Sequence, residues 1–580
     1  MISRRQILRA APGTAALLGS QALLPGWAAN GQTTSPSNEF DLNIQRQTVS
    51  IDSRKAAINS INGTLPGPLL RMREGEEVVL RVRNDLDADT SLHWHGILLP
   101  PSMDGVPGVS FAGIKPQETF EYRFRLQQHG TYWYHSHSGF QEQLGVYGPL
   151  IVDPAKDDSI SADRELILVL SDWSFESPAR VWSKLKTHAD YYNSRQPTLA
   201  DLLKGNDQAE WERMRMMRTD IADITGMTYT YLLNGHGPTD DWTGLFNPGE
   251  RVRLRVINAS AMTYFNFRIP GLPLTVIQAD GQDLQPVTVA EAQLGVAETM
   301  DFMVEPAGDR AYAIVAEAMD RSGMAVGQLT PSASLRAEVP PLRAPPQRTM
   351  QDMGHDAGHG DGHSGMQHDM PAGPAGMDHS NHGDRATTPA AQTTVPVDPP
   401  AWIPRRGPGV MNIVAAPMSR LDEPGTGLTD VGHRVLTYAD MQAREAFYDQ
   451  REPSREIWLN LTGNMERYMW SFDGEKGTGG TEPIRFRHDE RVRLVFINHT
   501  MMEHPIHLHG MWMELENGQQ PMPRKHTVSV KPAERVSVLV TADAPGDWAF
   551  HCHLLLHMKA GMMRTVQVSP PMVETADANT

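Results

Sequence analysis

Residues 551–563 read HCHLLLHMKAGMM, with the chain's single cysteine, Cys552, between His551 and His553. A thiolate, imidazoles and thioethers this close together form a donor set suited to copper, zinc or iron. Three further His-x-His pairs occur: His93-Trp94-His95, His135-Ser136-His137 and His507-Leu508-His509. In an extended strand the side chains at i and i+2 share a face, so each pair offers two imidazoles to one side. Four pairs supply eight imidazoles, enough to hold several metal ions. The same alternation turns Cys552 away from the face of His551 and His553, so its sulfur must serve a different metal ion from theirs. His557 lies five residues beyond Cys552, Met562 lies ten beyond, and His504 stands three before His507, outside the paired pattern. One thiolate, two imidazoles and a weak thioether make the ligand set of a blue-copper electron-transfer site.

The elements that must position these residues are visible as an internal repeat. GEEVVLRVRN (75–84), GERVRLRVIN (249–258) and DERVRLVFIN (489–498) are alternating strand patterns, each preceded by a turn signal. Each is followed by a second element: QETFEYRF from Gln117, AETMDFMV from Ala297 and AERVSVLV from Ala533. Two elements recurring in order three times imply three β domains of one fold, spanning 38–155, 160–335 and 401–570. Nine residues after Asn84 comes His93, and nine after Asn498 comes His507. The same step from Asn258 reaches Phe267, with Ile269 where the outer copies have His95 and His509. Gly130 to His137 likewise matches Gly546 to His553, whereas the middle copy, aligned from Gly308 through Ile314, has no histidine. The ligands therefore come from domains one and three, at their interface, and domain two has lost them.

Composition agrees with a turn-rich β protein, since Gly (49) and Pro (43) are both plentiful and long amphipathic helices are scarce. A net charge of −17 argues against a nucleic-acid partner, and no run beyond the first residues is long and apolar enough to span a membrane. Residues 1–29 carry Arg4-Arg5 before an Ala/Leu-rich stretch that ends near small residues, and Ser3-Arg4-Arg5-Gln6-Ile7-Leu8 resembles the twin-arginine pattern. The expectation is a signal peptide read by the twin-arginine translocase, with a periplasmic mature protein. One cysteine forms no internal disulfide, so in an oxidising compartment its thiol must be buried, reactive or metal-bound.

Together HWHG, HSH, HPIHLHG and HCHLLLHMKAGM resemble the four copper motifs of the multicopper oxidases, the family of laccases, ascorbate oxidase and bacterial cuprous oxidases. The resemblance covers nearly all of the mature chain. It implies an all-β fold of three cupredoxin-like Greek-key β-barrels with a copper-free central domain, and four copper ions. Type 1 copper would sit on His504, Cys552, His557 and Met562, and type 2 on His93 and His507. The type 3 pair would take His95, His135 and His553 on one ion, and His137, His509 and His551 on the other. The implied reaction oxidises a reductant one electron at a time at type 1 copper. Electrons pass through Cys552 and its neighbours His551 and His553 to the three-copper cluster, where O₂ becomes water. Asp104, eleven residues after His93, matches an acidic position that assists O₂ reduction in the family; its Asp-Gly sequence also suits an ordinary turn. Met558 follows His557 where some bacterial members carry a carboxylate, which leaves the proton donor at that position unassigned.

Residues 341–400 form a low-complexity insertion with almost nothing to bury. In it Met350, Met353, Met366, Met370 and Met377 interleave with His355, His359, His363, His368, His379 and His382, candidate accessory copper ligands because thioethers favour Cu(I). Twin-arginine signal, copper motifs and Met/His-rich insertion together resemble the bacterial copper-resistance protein A subfamily. The leading expectation is a periplasmic oxidase that converts Cu(I) to Cu(II) for copper tolerance. A laccase-type oxidase of small phenols and a copper-sequestering protein with incidental oxidase activity are the alternatives. A copper-free scaffold is disfavoured by the full ligand set.

Overall fold

The computed structural model describes residues 35–156, 160–196, 218–349, 352, 403–477 and 481–570. The expected signal peptide (1–29) lies outside them. So do the insertion's candidate ligands, Met350, Met353, His355, His359, His363, Met366, His368, Met370, Met377, His379 and His382.

The repeat is realised as three pairs of sheets. In each domain the two repeated elements pair antiparallel: Glu77–Asn84 with Thr119–Arg125, Val252–Asn258 with Thr299–Val304, and Arg491–Asn498 with Arg535–Thr541. Each first element also pairs in parallel with a strand from the domain's start: Glu39–Ile51, Arg164–Ser174 and Arg455–Asn464. The second sheet of each domain is closed by another parallel pair, Leu70–Arg73 with Tyr147–Asp153, Thr243–Leu245 with Met324–Thr330, and Ile484–Phe486 with Met563–Val568. Parallel pairs between distant strands require the chain to cross from sheet to sheet, which gives the Greek-key barrel of cupredoxin-like domains.

The turn that opens each second element has the same backbone. Gln117, Ala297 and Ala533 all have positive φ, at 66°, 73° and 58°. Each bonds its N–H to the carbonyl of the closing Asn, and that Asn returns its own N–H to the residue after the positive-φ position. The buried Asn side chain then pins the loop leading to the next strand. Asn84 Nδ2 donates to Ala88 O and Ile114 O, Asn258 Nδ2 to Thr263 O and Leu294 O, and Asn498 Nδ2 to Met502 O and Val530 O. A loop held at both ends has fixed length, the physical reason for the constant nine-residue step.

The step lands as expected. His93 and His95 lie on the strand His93–His95, His507 on His504–Leu508, and Phe267 on Phe265–Arg268, where its buried ring stacks on Phe302. The alignment of the middle copy's second motif is corrected by three residues. His93 pairs with His135 and His507 with His551, but Phe267 pairs with Ala316, not with Ala313 as counted from Gly308. Gly130 and Gly546 share φ values of 137° and 144°, while Gly308 has φ 80° in a turn ahead of its strand, so the glycines are not equivalent. The middle domain still lacks histidine there: Ala316 and Ala318 stand at the two histidine positions, with Glu317 between them.

The start of the insertion also departs from expectation, because it does bury side chains. Arg343 pairs with the buried Glu291 and Glu317, Arg348 is buried in a bidentate pair with Glu503, and Asp352 pairs with Arg420. Composition suggested a solvated tract, but guanidinium groups can enter a protein interior when buried carboxylates await them.

A candidate copper centre between the first and third domains

All eight paired histidines converge between domains one and three. His95, His135 and His553 offer ring nitrogens within 4.8 Å of one another, as do His93, His95 and His507, and also His93, His137 and His509. His509 Nε2 lies 3.1 Å from His551 Nε2. Seven of the eight are buried and His137 is partly exposed. The strand register explains the convergence: His93 opposite His135 and His507 opposite His551 put all four inward rows on facing sheet edges.

Hydrogen bonds outside the cluster fix which nitrogen faces in. His93 Nδ1 donates to Asp104 O at 2.8 Å, His507 Nδ1 to His526 O at 2.6 Å, and His551 Nδ1 to Cys552 O at 3.0 Å. His95 is held by the opposite nitrogen, its Nε2 lying 3.1 Å from His526 Nδ1 and 3.2 Å from Thr527 Oγ1. His135 Nδ1 is 2.6 Å from Glu142 Oε2. Ring nitrogens on the inner side, His93 Nε2, His95 Nδ1, His137 Nε2, His507 Nε2 and His553 Nε2 among them, are buried without a hydrogen-bond partner. So many orphaned buried acceptors are costly in a protein interior, and metal ions would satisfy them. Burial, helped by neighbouring imidazoles, holds His95, His135, His507, His509 and His553 well below the ordinary imidazole range, and burial lowers His551 to about 4. They are neutral at pH 7, the form that ligates.

Asp104 joins the two domains at this cluster. Its Oδ2 accepts from His509 Nδ1 at 2.9 Å, and its Oδ1 is 3.2 Å from His93 Nδ1. A short turn, Pro101–Met103, ends at Asp104, and the following Gly105 (φ 82°) has no room for a Cβ, which would meet Leu92 O at 1.8 Å. The Asp-Gly turn and the functional placement are thus one feature.

On the other face of the Gly546–Cys552 strand, Cys552 Sγ lies 3.5 Å from His504 Nδ1 and 3.7 Å from His557 Nδ1, and these two nitrogens are 3.2 Å apart. The centre of such a triangle is about 2 Å from each corner, close to the roughly 2.0 Å bonds that imidazole makes to a metal such as zinc. Burial pushes the Cys552 thiol up and His504 down, so without a cation the thiol keeps its proton; a metal would displace it. Met562 is buried beside them, its N–H bonded to His557 O and its carbonyl to Cys552 N–H.

Sequence reasoning missed the groups that orient these ligands. Thr500 Oγ1 bonds His504 Nε2 at 2.7 Å, and Asp223 Oδ2 accepts from His557 Nε2 at 2.7 Å and from Tyr468 Oη at 2.7 Å. Trp470 stacks on His557 with centroids 3.9 Å apart. Thr500 was legible, because Asn498-x-Thr500 repeats the Asn258-x-Ser260 spacing and both hydroxyls lie on the pinned loop. Asp223 had no local signal: it reaches the site from domain two.

Cupredoxin-like barrels with a Cys/His centre beside an eight-histidine cluster define an oxidoreductase that uses copper cofactors and oxygen. Models of the multicopper oxidase family match residues 43–157, 183–338 and 450–572, and the chain belongs to that family. It is 49% identical to a copper resistance protein A homolog of Pseudomonas syringae pv. tomato, over 94% of this chain and 95% of that one. To the copper resistance protein A of Escherichia coli it is 46% identical, over 91% and 92%. In fold it is similar to the crystal structure of a laccase from Botrytis aclada, with a TM-score of 0.61, 20% identity, and coverage of 92% and 88%. Among the described residues no helix is long and apolar enough to cross a membrane.

Proposed function

We propose that the protein is a periplasmic cuprous oxidase, exported by the twin-arginine route, that oxidises Cu(I) at the expense of O₂ and serves copper resistance. His504, Cys552, His557 and Met562 would hold type 1 copper, and His93 and His507 type 2. His95, His135 and His553, with His137, His509 and His551, would hold the type 3 pair. Bound copper supplies the Cu(I)/Cu(II) couple that links a one-electron reductant to O₂. The chain does the rest. Cys552 faces the first centre while His551 and His553 face the second, so three consecutive residues connect them. Asp104 fixes the proton on His509 Nδ1 and keeps its Nε2 turned inward, whereas Asp223 fixes the proton on His557 Nε2 and keeps its Nδ1 turned toward Cys552.

The observation that carries Cu(I) over a phenol is a small cavity of about 20 Å³, room for little more than one water or ion, with Asp223 in its wall. Met262, Met319 and Met502 line it, and thioethers favour Cu(I). Arg348, which pairs with Glu503 in the same wall, stands two residues before Met350, where the Met/His-rich tract begins. That tract would gather copper near this cavity. The name shared by the two relatives supports the physiological reading.

The test is to load Cu(I) anaerobically, admit O₂, and compare turnover with that of a phenol. Faster Cu(I) oxidation is expected. A Cu(I) rate at background with rapid phenol turnover would leave a laccase. If deletion of 350–384 abolished copper tolerance while Cys552→Ser preserved it, sequestration would be the function.

A further inference from the structure

The chain is strongly acidic, yet the surface outside the Cys/His centre is basic. Lys186 on the helix Pro178–Thr187, Arg467, Lys476, and Lys559 on the helix Leu555–Ala560 are all exposed. They come from four separate segments, and Lys186 and Lys559 meet at Trp182. Lys186 Nζ lies 5.6 Å and Lys559 Nζ 5.9 Å from its ring, and Lys186 also donates to the carbonyls of Arg467 and Tyr468. The charge of Lys476 helps depress the ammonium of Lys186, after burial, so the two feel each other. Glu466, Glu475 and the half-buried Asp473 are the carboxylates on the same loops; Asp473 is taken up by Asn460, and Glu475 sits 3.9 Å from Arg564.

Beneath this platform a short aromatic path leads inward. Trp182, only partly buried, is 5.9 Å from Tyr468, which is 6.3 Å from His557. The helix that points His557 into the centre points Lys559 outward. A cationic rim around an accessible aromatic over a redox centre fits a transient partner, because complementary charge steers encounter more than it adds affinity.

We propose that this surface docks a redox protein presenting a carboxylate-rich face, with Trp182 at the contact. It rests on reading His504, Cys552 and His557 as the electron-accepting centre. With copper held by His504, Cys552 and His557, one electron would leave the donor, which is oxidised by one unit, and pass by Trp182 and Tyr468 to that centre, reduced by one unit, with no proton or leaving group moving.

The probe is a dodecaglutamate peptide, labelled for fluorescence anisotropy and titrated into the copper-loaded protein. Affinity should fall about tenfold from 20 to 200 mM salt, as contacts between exposed charges are screened. It should fall about tenfold again in Lys186→Gln/Lys476→Gln/Lys559→Gln, and stay unchanged in Lys55→Gln/Lys156→Gln/Arg535→Gln. Retained blue absorption verifies that the variants fold. Equal binding by both triple variants would overturn the proposal, as would a loss confined to phosphatidylglycerol vesicles. With a ferrocene-labelled peptide as donor, Trp182→Leu should bind normally but reduce the blue centre several-fold more slowly; an unchanged rate would remove Trp182 from the contact. The binding measurement is independent of whether Cu(I) is the substrate, so the two readings fail separately.

Discussion

Cys552 matters because strand alternation gives it a different face from its neighbours. Its sulfur meets His504 and His557, while His551 meets His509 across the other side. Replacing Cys552 with Ser should remove the blue absorption and lower turnover at least 100-fold, since a hydroxyl lacks the soft thiolate donor. The eight-imidazole cluster should keep its copper, which metal analysis and EPR would read. Wild-type turnover in that variant would refute the electron path. This much was legible from HCH alone, because period-two alternation is a local property. The orienting Asp223 was not, because its contact with His557 spans 334 residues.

At the scale of the element, one buried asparagine per domain sets the distance from scaffold strand to ligand strand. Asn258 does this in the domain that carries Phe267 and Ala316 instead of histidines, so scaffold and chemistry can be separated by mutation. Asn258→Ala would remove the side-chain bonds to the carbonyls of Thr263, Leu294 and Gly295 and to the N–H of Ser260. The expected cost is about 2–4 kcal/mol, from several buried groups left unsatisfied. Thermal melting should report it, with copper stoichiometry and blue absorption intact in the folded protein. Asn498→Ala should cost a similar amount and also perturb the blue centre, because its loop carries Thr500 to His504. Equal spectra for the two variants would contradict this division. The sequence showed the repeat and the nine-residue step, yet placed the middle domain's second motif three residues early. Turn length before a strand is not encoded by strand periodicity.

For the whole molecule, the buried histidines of the cluster couple stability to pH. His551 titrates at about 4 in the folded protein, below the roughly 6.5 of an unfolded chain. The folded state therefore binds fewer protons, and the stabilisation, complete above about pH 6.5, is lost as pH falls toward 4. By pH 5 the loss for such a group is about 2 kcal/mol. The copper-free protein should melt progressively lower from pH 7 to pH 5, and a flat profile would argue that the imidazoles are not buried neutral. Domain contacts hold the arrangement: buried Lys525 of domain three lies 3.0 Å from both Asp280 and Glu298 of domain two, and Arg71 of domain one bonds Glu165 at 2.6 Å.

The sequence by itself determined the candidate ligands, their faces and the three-fold repeat, because strand alternation and spacing are written in consecutive residues. Only the tertiary structure decided what surrounds them. Asp223 on His557, the thioether-lined cavity, the anchoring of Arg348 on Glu503 and the basic rim around Trp182 each join segments far apart in the chain. No local pattern specifies such meetings; they follow from how three barrels pack.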